Sequence, residues 1–239
     1  DDSKKIIKLD FLGKDSIRYC HKIEVTPLVY NNLKSFTIEK DTKKDLFDKI
    51  NSKSLNNYLE KFMKGLTAKV WRTYNASFLF QKELDKIKPE KICSISENER
   101  VNYLLGLFNM ANTKVALLCN HQKNVPSNIN NTLEKINKMI TKLRKQKKKT
   151  TERKSKMDKE EYNKKINRID SKILLLKLKK DTKTKMKNVS LGTSKMNYID
   201  PRIVFAFMKR FQIPEEKLFT KTLLSRFQWA NEVDRDYRF

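Results

Sequence analysis

The side chains of this 239-residue chain that could do chemistry fit no metal site or nucleotide-binding loop. Cys20, Cys93 and Cys119 lie far apart, and the two histidines form no HxxxH or HExxH spacing, so a catalytic transition-metal site is not expected. The four glycines form no Walker loop and no GxGxxG. Eight tyrosines and 54 lysines and arginines remain, which could supply a nucleophile and donors to phosphoryl oxygens. Spacing alone does not select among them.

The charge of the chain indicates a polyanionic partner. Lysine and arginine outnumber aspartate and glutamate by 54 to 28, a net charge of +26. Nucleic acid fits this excess best, because neutralising phosphates releases condensed counterions. The alternative is a Lys- and Asn-rich composition that only solubilises the surface. The longest apolar-rich run, residues 101–113, lies between Arg100 and Lys114, which excludes a membrane span. The first residues carry no apolar segment that marks secretion.

Changes in composition and in hydrophobic period predict three regions, residues 1–125, 126–187 and 188–239. In the first, apolar and polar residues alternate over 7–11 and 17–25 around a turn at Gly13, which predicts a β-hairpin. Helical periods follow from Asp41 to Gln122, beginning with Thr42 and Asp45 as a capping pair. In the third region, Asp200 precedes a helix over 202–211, and Thr220 precedes a final helix. The predicted fold is mainly α with one hairpin, in the α+β class.

The middle region, 126–187, is strongly basic. It holds 22 Lys and Arg against 7 Asp and Glu, so it carries more than half of the net charge. Two apolar seams, in which apolar residues recur every three or four positions, are separated by a polar break. Asp158 follows the break and is expected to cap the second helix. This pattern predicts a short antiparallel coiled coil; one long helix, or disorder without a partner, are the alternatives. The lysines at 147–149 are interpreted as part of an arm beside DNA, or else as a solvated face.

Four sequence blocks resemble the eukaryotic type IB DNA topoisomerases and follow that family's order. They are DFLGKDSIRY at 10–19, LTAKVWRTYNAS at 66–77, LCNHQ at 118–122 and LGTSKMNYIDPR at 191–202. The last block is similar to the family's active-site tyrosine signature. The likeness spans nearly the whole chain and is weakest in the linker, where only composition matches. It implies the helical catalytic core of the tyrosine recombinase and type IB topoisomerase kind, a coiled-coil linker and a small helical C-terminal domain.

The resemblance implies catalytic roles for four residues. Tyr198 would attack a DNA phosphodiester and form a 3′-phosphotyrosyl intermediate. Lys14 would protonate the leaving 5′ oxygen, while Arg72 and His121 would donate hydrogen bonds to the non-bridging oxygens. Such transesterification conserves bond energy, so neither ATP nor a divalent metal is required. Without the four blocks, these residues would be interpreted as a packing tyrosine, a turn lysine, a surface arginine and a helix-capping histidine.

The resemblance also implies binding residues and a biological setting. The expected DNA-binding residues are Lys69, Lys195, Asn197, Arg202, Lys147, Lys148 and Lys149. Asp15 and Asn197 occupy positions where the family contacts camptothecin-type inhibitors. The implied activity is relaxation of supercoiled double-stranded DNA by controlled rotation, in replication and transcription, by a monomeric nuclear enzyme.

One departure from the family concerns the start of the chain. The family uses a further arginine upstream of the Lys14 hairpin, and a clamp domain that closes over DNA. Both are missing here, so the chain is expected to be the C-terminal part of a larger enzyme, with the N-terminal part as its partner. A tyrosine recombinase is the rival enzyme, although recombinases carry HxxR where this chain has residues 69–72, KVWR. A non-catalytic helical module that binds nucleic acid is the rival outside enzymes.

Overall fold

A computed structural model describes residues 3–13, 16, 18–38, 40–41, 44–93, 95–121, 127–156 and 158–239. The chain divides into two compact units, residues 1–70 and 71–239. No helix in the described ranges combines the length and the apolar character that crossing a membrane would require.

The first unit begins with the predicted β-hairpin. Strand β1 (Ile6–Leu12) pairs antiparallel with β2 (Arg18–Glu24), and the register places Ile6 opposite Glu24 and Leu12 opposite Arg18. Arg18 donates to both carboxylate oxygens of Asp10, at 2.7 and 2.8 Å. These hydrogen bonds hold the pKa of Asp10 well below its usual range. Lys14 and Asp15 of the predicted turn, and Ile17 of the predicted second strand, lie outside the described residues.

Helix α1 (Pro27–Phe36) was not predicted. Thr26 caps it by accepting a hydrogen bond from the Val29 N–H at 3.4 Å, and proline occupies the first helical position. The signal was therefore present in the pair Thr26-Pro27.

The helix expected around residues 46–50 was wrong, since 46–49 form turns. The ammonium group of Lys40 lies inside this segment, where it donates to the Leu46 carbonyl at 2.9 Å and the Asp48 carboxylate at 2.7 Å. Asn51 then starts α2 (Ser52–Glu60) with a capping box. Thr42, the expected cap, lies outside the described residues.

The second unit contains a helical core. Helix α3 (Ala68–Leu84) starts before the boundary at residue 70 and continues into this unit, followed by α4 (Pro89–Cys93) and α5 (Glu97–Leu118). After the basic region come α8 (Leu191–Asn197), α9 (Pro201–Phe211) and α10 (Lys221–Arg226). The centre of the Phe108 ring in α5 lies 5.0 Å from the centre of the Phe80 ring in α3 and 5.5 Å from that of the Phe207 ring in α9. Burying each such side chain contributes about 1.5–3 kcal/mol, so this cluster fixes three helices against one another.

The basic region forms two packed helices, α6 (Ile129–Glu152) and α7 (Lys159–Lys185). Their buried seam consists of Ile136, Ile140, Ile169 and Ile173. Lys147 pairs with Asp170 at 2.6 Å, and Lys154 lies over the Tyr162 ring. The later residue of the first segment thus contacts the earlier residue of the second, so the helices run in opposite directions. The pairing matches the predicted seams. A supercoil, and the region boundaries at 125/126 and 187/188, stay predictions.

Two predicted helix caps position the C-terminal helices. The Asp200 carboxylate accepts from the Arg202 N–H at 2.9 Å at the start of α9. Thr220 accepts from the Leu223 N–H at 3.4 Å at the start of α10. Helix α9 is buried from Ile203 to Met208, so it anchors the segment that carries Tyr198 to the core.

Candidate active site

Tyr198 stands at the C-terminal end of α8, and its backbone is fixed on both sides. Its N–H donates to the Ser194 carbonyl at 2.9 Å. Its own carbonyl accepts from the hydroxyl of Ser77, a buried residue of α3, at 3.2 Å. The Ser77 oxygen also accepts from the Asp200 N–H at 2.9 Å, so one hydroxyl joins α3 to the turn between α8 and α9. The half-buried ring packs against the hydrophobic core.

Arg72 brings a permanent positive charge to this ring. Its guanidinium carbon lies 4.9 Å from the centre of the Tyr198 ring. Its Nη2 donates to the Cys119 carbonyl at 2.7 Å, which uses one of the five N–H groups of the guanidinium. The side chain is thereby held in place from the end of α5 while the residue stays exposed.

His121 reaches the same ring from the end of α5. Cys119 is the C-cap of that helix, and Asn120 adopts a left-handed conformation with φ of 53°. This turn lets the His121 N–H donate back to the Ala116 carbonyl at 2.8 Å. The imidazole lies 4.9 Å from the Tyr198 ring, centre to centre, at an interplanar angle of 44°. The sequence therefore folds so that one helix end supplies both the imidazole and the carbonyl that holds Arg72.

The surroundings keep the imidazole neutral. Burial lowers the pKa of His121, and the charge of Arg72 lowers it further. Burial raises the pKa of the neighbouring Cys119 thiol, against the opposing effect of Arg72, so the thiol stays protonated. The Tyr198 phenol thus has a permanent cation and a neutral imidazole as neighbours. Such a set of donors can stabilise negative charge that develops on a phosphoryl group.

Three predicted DNA-binding residues lie close to the tyrosine in sequence but differ in their surroundings. Asn197 is exposed. Lys195 is half-buried and donates from its ammonium group to the Leu218 carbonyl; burial lowers its pKa. Arg202 forms an ion pair with Asp200 at 2.6 Å. A phosphate contact from Lys195 or Arg202 would have to replace or share these bonds.

The other predicted residues lie further along the chain or outside the described ranges. Lys69 is exposed in the first turn of α3 and belongs to the first unit. In α6, Lys148 and Lys149 are exposed, whereas Lys147 is half-buried beside Asp170. Lys14 and Asp15 lie outside the described residues.

The sequence did not identify two serines that organise this site. Ser77 holds the Tyr198 backbone, and the Ser194 hydroxyl lies 2.8 Å from Nδ1 of His121. Both contacts join residues far apart in the chain, so no local pattern could have revealed them. The one available signal was that each serine lies inside a block that also carries a predicted catalytic residue.

Comparison with known proteins shows which family this chain resembles. The family model described as eukaryotic DNA topoisomerase I, catalytic core, matches residues 2–154, and a C-terminal topoisomerase domain matches residues 170–239. DNA topoisomerase 1 of Caenorhabditis elegans is 39% identical over 249 residues, covering 100% of this chain and 30% of the relative. Mitochondrial DNA topoisomerase I of Rattus norvegicus is 37% identical over 253 residues, covering 100% of this chain and 42% of the relative.

Human DNA topoisomerase 1 is 35% identical over 254 residues, covering 100% of this chain and 32% of the relative. The chain thus spans less than half the length of these relatives. Because the first family model matches well over half of the sequence, the resemblance stated from four blocks is confirmed. The chain belongs to the eukaryotic DNA topoisomerase I family.

Proposed function

We propose that this chain carries the nucleophile of a type IB DNA topoisomerase, which relaxes supercoiled double-stranded DNA without ATP. The observation that carries the proposal is the contact of the Tyr198 ring with both the Arg72 guanidinium and the His121 imidazole. Packing against the core alone would not require both a guanidinium and an imidazole, two groups able to donate to phosphoryl oxygens, beside the ring.

The proposed chemistry is a transesterification at a DNA phosphodiester. The phenolic oxygen of Tyr198 attacks the phosphorus, and its proton passes to solvent. A phosphorus–oxygen bond to tyrosine forms while the bond to the 5′ oxygen breaks, and Lys14 protonates that leaving oxygen. The freed strand then rotates about its partner, and the 5′ hydroxyl reverses the reaction. The family resemblance supports the role of Lys14.

Arg72 and His121 act on the non-bridging oxygens during this step. Arginine holds its charge at all relevant pH values and can bridge two oxygens of one phosphoryl group. The neutral imidazole donates one N–H to an oxygen. Both groups are fixed before DNA arrives, Arg72 by the Cys119 carbonyl and His121 by the turn through Asn120, so they need little reorganisation.

The proposed DNA surface extends beyond the reacting groups. It comprises Lys69, Lys195, Asn197, Arg202 and the lysines at 147–149, whose phosphate contacts would position the duplex without reading its sequence. Asn197 and Asp15 are proposed to contact camptothecin-type inhibitors. The proposed enzyme is monomeric once its N-terminal part is included.

We place the enzyme in the nucleus, where supercoiling from replication and transcription arises. The alternative location is the mitochondrion, because some relatives are named DNA topoisomerase 1 and others are named mitochondrial. Fluorescence microscopy of the tagged complete protein, scored against nuclear and mitochondrial stains, separates these locations.

Replacement of the nucleophile tests the proposal. In the complete protein, Tyr198→Phe should abolish the covalent DNA adduct on denaturing gels while sparing DNA binding. Tyr162→Phe is a matched control, because the Tyr162 ring also lies beneath a cation, Lys154 at 5.5 Å. That variant should form a normal adduct. Mass spectrometry of the trapped peptide should identify Tyr198.

Two results would overturn the proposal. A normal adduct from Tyr198→Phe would remove this residue from the mechanism. Salt-sensitive binding with no adduct from the unmodified protein would favour the non-catalytic nucleic-acid-binding module.

A further inference from the structure

Ser194 connects the imidazole to the nucleophile. Its side chain is fully buried, at 0% exposure, and its Oγ lies 2.8 Å from Nδ1 of His121. Its carbonyl accepts from the N–H groups of Tyr198 at 2.9 Å and Ile199 at 3.0 Å. One residue therefore contacts the His121 ring through its side chain and the Tyr198 segment through its backbone.

The hydrogen bond to Nδ1 has a chemical consequence for the opposite nitrogen. A neutral imidazole carries one N–H, on either Nδ1 or Nε2. A proton on Nδ1 would leave Nε2 as an acceptor, which cannot donate to a phosphate oxygen. A hydroxyl that donates to Nδ1 moves the proton to Nε2 and makes it a donor. Burial and Arg72 already favour the neutral ring, so the tautomer decides whether His121 can act.

We propose that Ser194 is a positioning residue that donates its hydroxyl hydrogen to Nδ1 of His121 and fixes the Nε2–H tautomer. This inference rests on the proposed function, in which His121 donates to a phosphoryl oxygen. Ser194 does not contact the substrate; it acts through the imidazole. Because its carbonyl also accepts from the Tyr198 N–H, Ser194 fixes the position of His121 relative to Tyr198.

The ring's ¹⁵N chemical shifts test the tautomer without any DNA. In the 239-residue chain at pH 7.5, the shifts should show His121 with its proton on Nε2, and Ser194→Ala should remove that preference. Ser77→Ala is the matched control: Ser77 is also a buried serine, but it bonds the Tyr198 and Asp200 backbone and not the imidazole. Its spectrum should keep the Nε2–H form.

A double-mutant cycle tests whether Ser194 acts through His121. In the complete protein, Ser194→Ala should slow adduct formation by about tenfold or more when His121 is present. In a His121→Ala background, the same change should have an effect within about twofold. A merely structural role would slow both backgrounds equally. Ser194→Cys, which keeps a side chain of similar size and a weak donor, should fall between serine and alanine.

Several results would overturn the inference. The first is a spectrum of the unmodified chain that shows the His121 proton on Nδ1. This result does not depend on whether any variant folds. The second is a Ser194→Ala spectrum that keeps the Nε2–H form, and the third is an equal loss of rate in both backgrounds. Failure of the proposed function is a separate result, because absence of a Tyr198 adduct would leave the tautomer measurement unchanged.

Discussion

The Arg72 guanidinium lies 4.9 Å from the centre of the Tyr198 ring, although the two residues are far apart in the sequence of the second unit. Helix α3 accounts for this, because it carries both Arg72 and Ser77, and Ser77 bonds the Tyr198 carbonyl. The helix that supplies the cation thus also fixes the tyrosine's backbone. Packing of Phe80 against Phe108 holds α3 on α5, which brings the Cys119 carbonyl to the guanidinium.

Replacing Arg72 by lysine should slow adduct formation nearly as much as replacing it by alanine. A lysine keeps the charge but has no planar fork, so it cannot hold the Cys119 carbonyl and bridge two phosphoryl oxygens together. We expect adduct formation in the complete protein to slow by about 10²–10³ in both variants, measured in single turnover. Arg226→Lys, on an arginine that lies over the Phe227 ring, should leave the rate unchanged. A near-normal rate for Arg72→Lys would show that charge alone suffices.

His121 should titrate below the ordinary histidine value of 6.5, because burial and then Arg72 lower its pKa. In the window between the folded value and 6.5, the unfolded chain binds more protons than the folded chain. The free energy of unfolding contributed by this group therefore falls as the pH drops through that window. NMR titration of the ring should give the midpoint, and urea unfolding at pH 7.5 and 5 should show the loss.

Two variants check the causes of this shift. His121→Gln should reduce the loss of unfolding free energy between pH 7.5 and 5. Arg72→Gln should move the His121 midpoint upward only in part, since burial is the larger cause. A midpoint at or above 6.5 in the unmodified chain would contradict the environment described for the imidazole.

Local features of this fold could be predicted, because their causes are local. Asp158, Asp200 and Thr220 accept hydrogen bonds from N–H groups two or three residues later, so a few neighbouring letters define each cap. The isoleucine seam of α6 and α7 could be predicted because its apolar residues recur every three or four positions in the sequence. The helix expected near Phe47 failed because Lys40 binds the segment with its side chain, which a periodicity cannot show.

The candidate site was only partly accessible from the sequence. Tyr198, Arg72 and His121 were selected by family resemblance, and the structure brings these three together. Ser194 and Ser77 were missed, because a serine's partner depends on which helices pack together. Packing is decided by the whole core, so short-range spacing carries no information about it.

Close packing of α5 on α7 should depend on Gly106. A Cβ at this position would lie 2.4 Å from Cδ2 and 3.0 Å from Cγ of Leu178, so a larger residue must displace that side chain. We expect Gly106→Val to lower the free energy of unfolding by about 2 kcal/mol in urea titrations.

A second glycine and a compensating change serve as checks. Gly192→Val should have little effect, because the nearest atom to a Cβ there is Cε of Met196, at 3.9 Å. Leu178→Ala should recover part of the loss when combined with Gly106→Val. Equal stability of Gly106→Val and the unmodified chain would show that the two helices do not rely on this contact.

The lysine run in α6 should contribute phosphate contacts in proportion to its available charges. Lys148 and Lys149 are exposed, whereas Lys147 pairs with Asp170 at 2.6 Å, so we expect about two contacts rather than three. Replacing all three by glutamine should then reduce the slope of log affinity against log salt by about 1.8. Binding is best measured in the Tyr198→Phe background, where no covalent adduct forms. Triple replacement by arginine keeps the charge and should keep the slope, whereas an unchanged slope in the glutamine variant would mean that this face of the hairpin does not touch DNA.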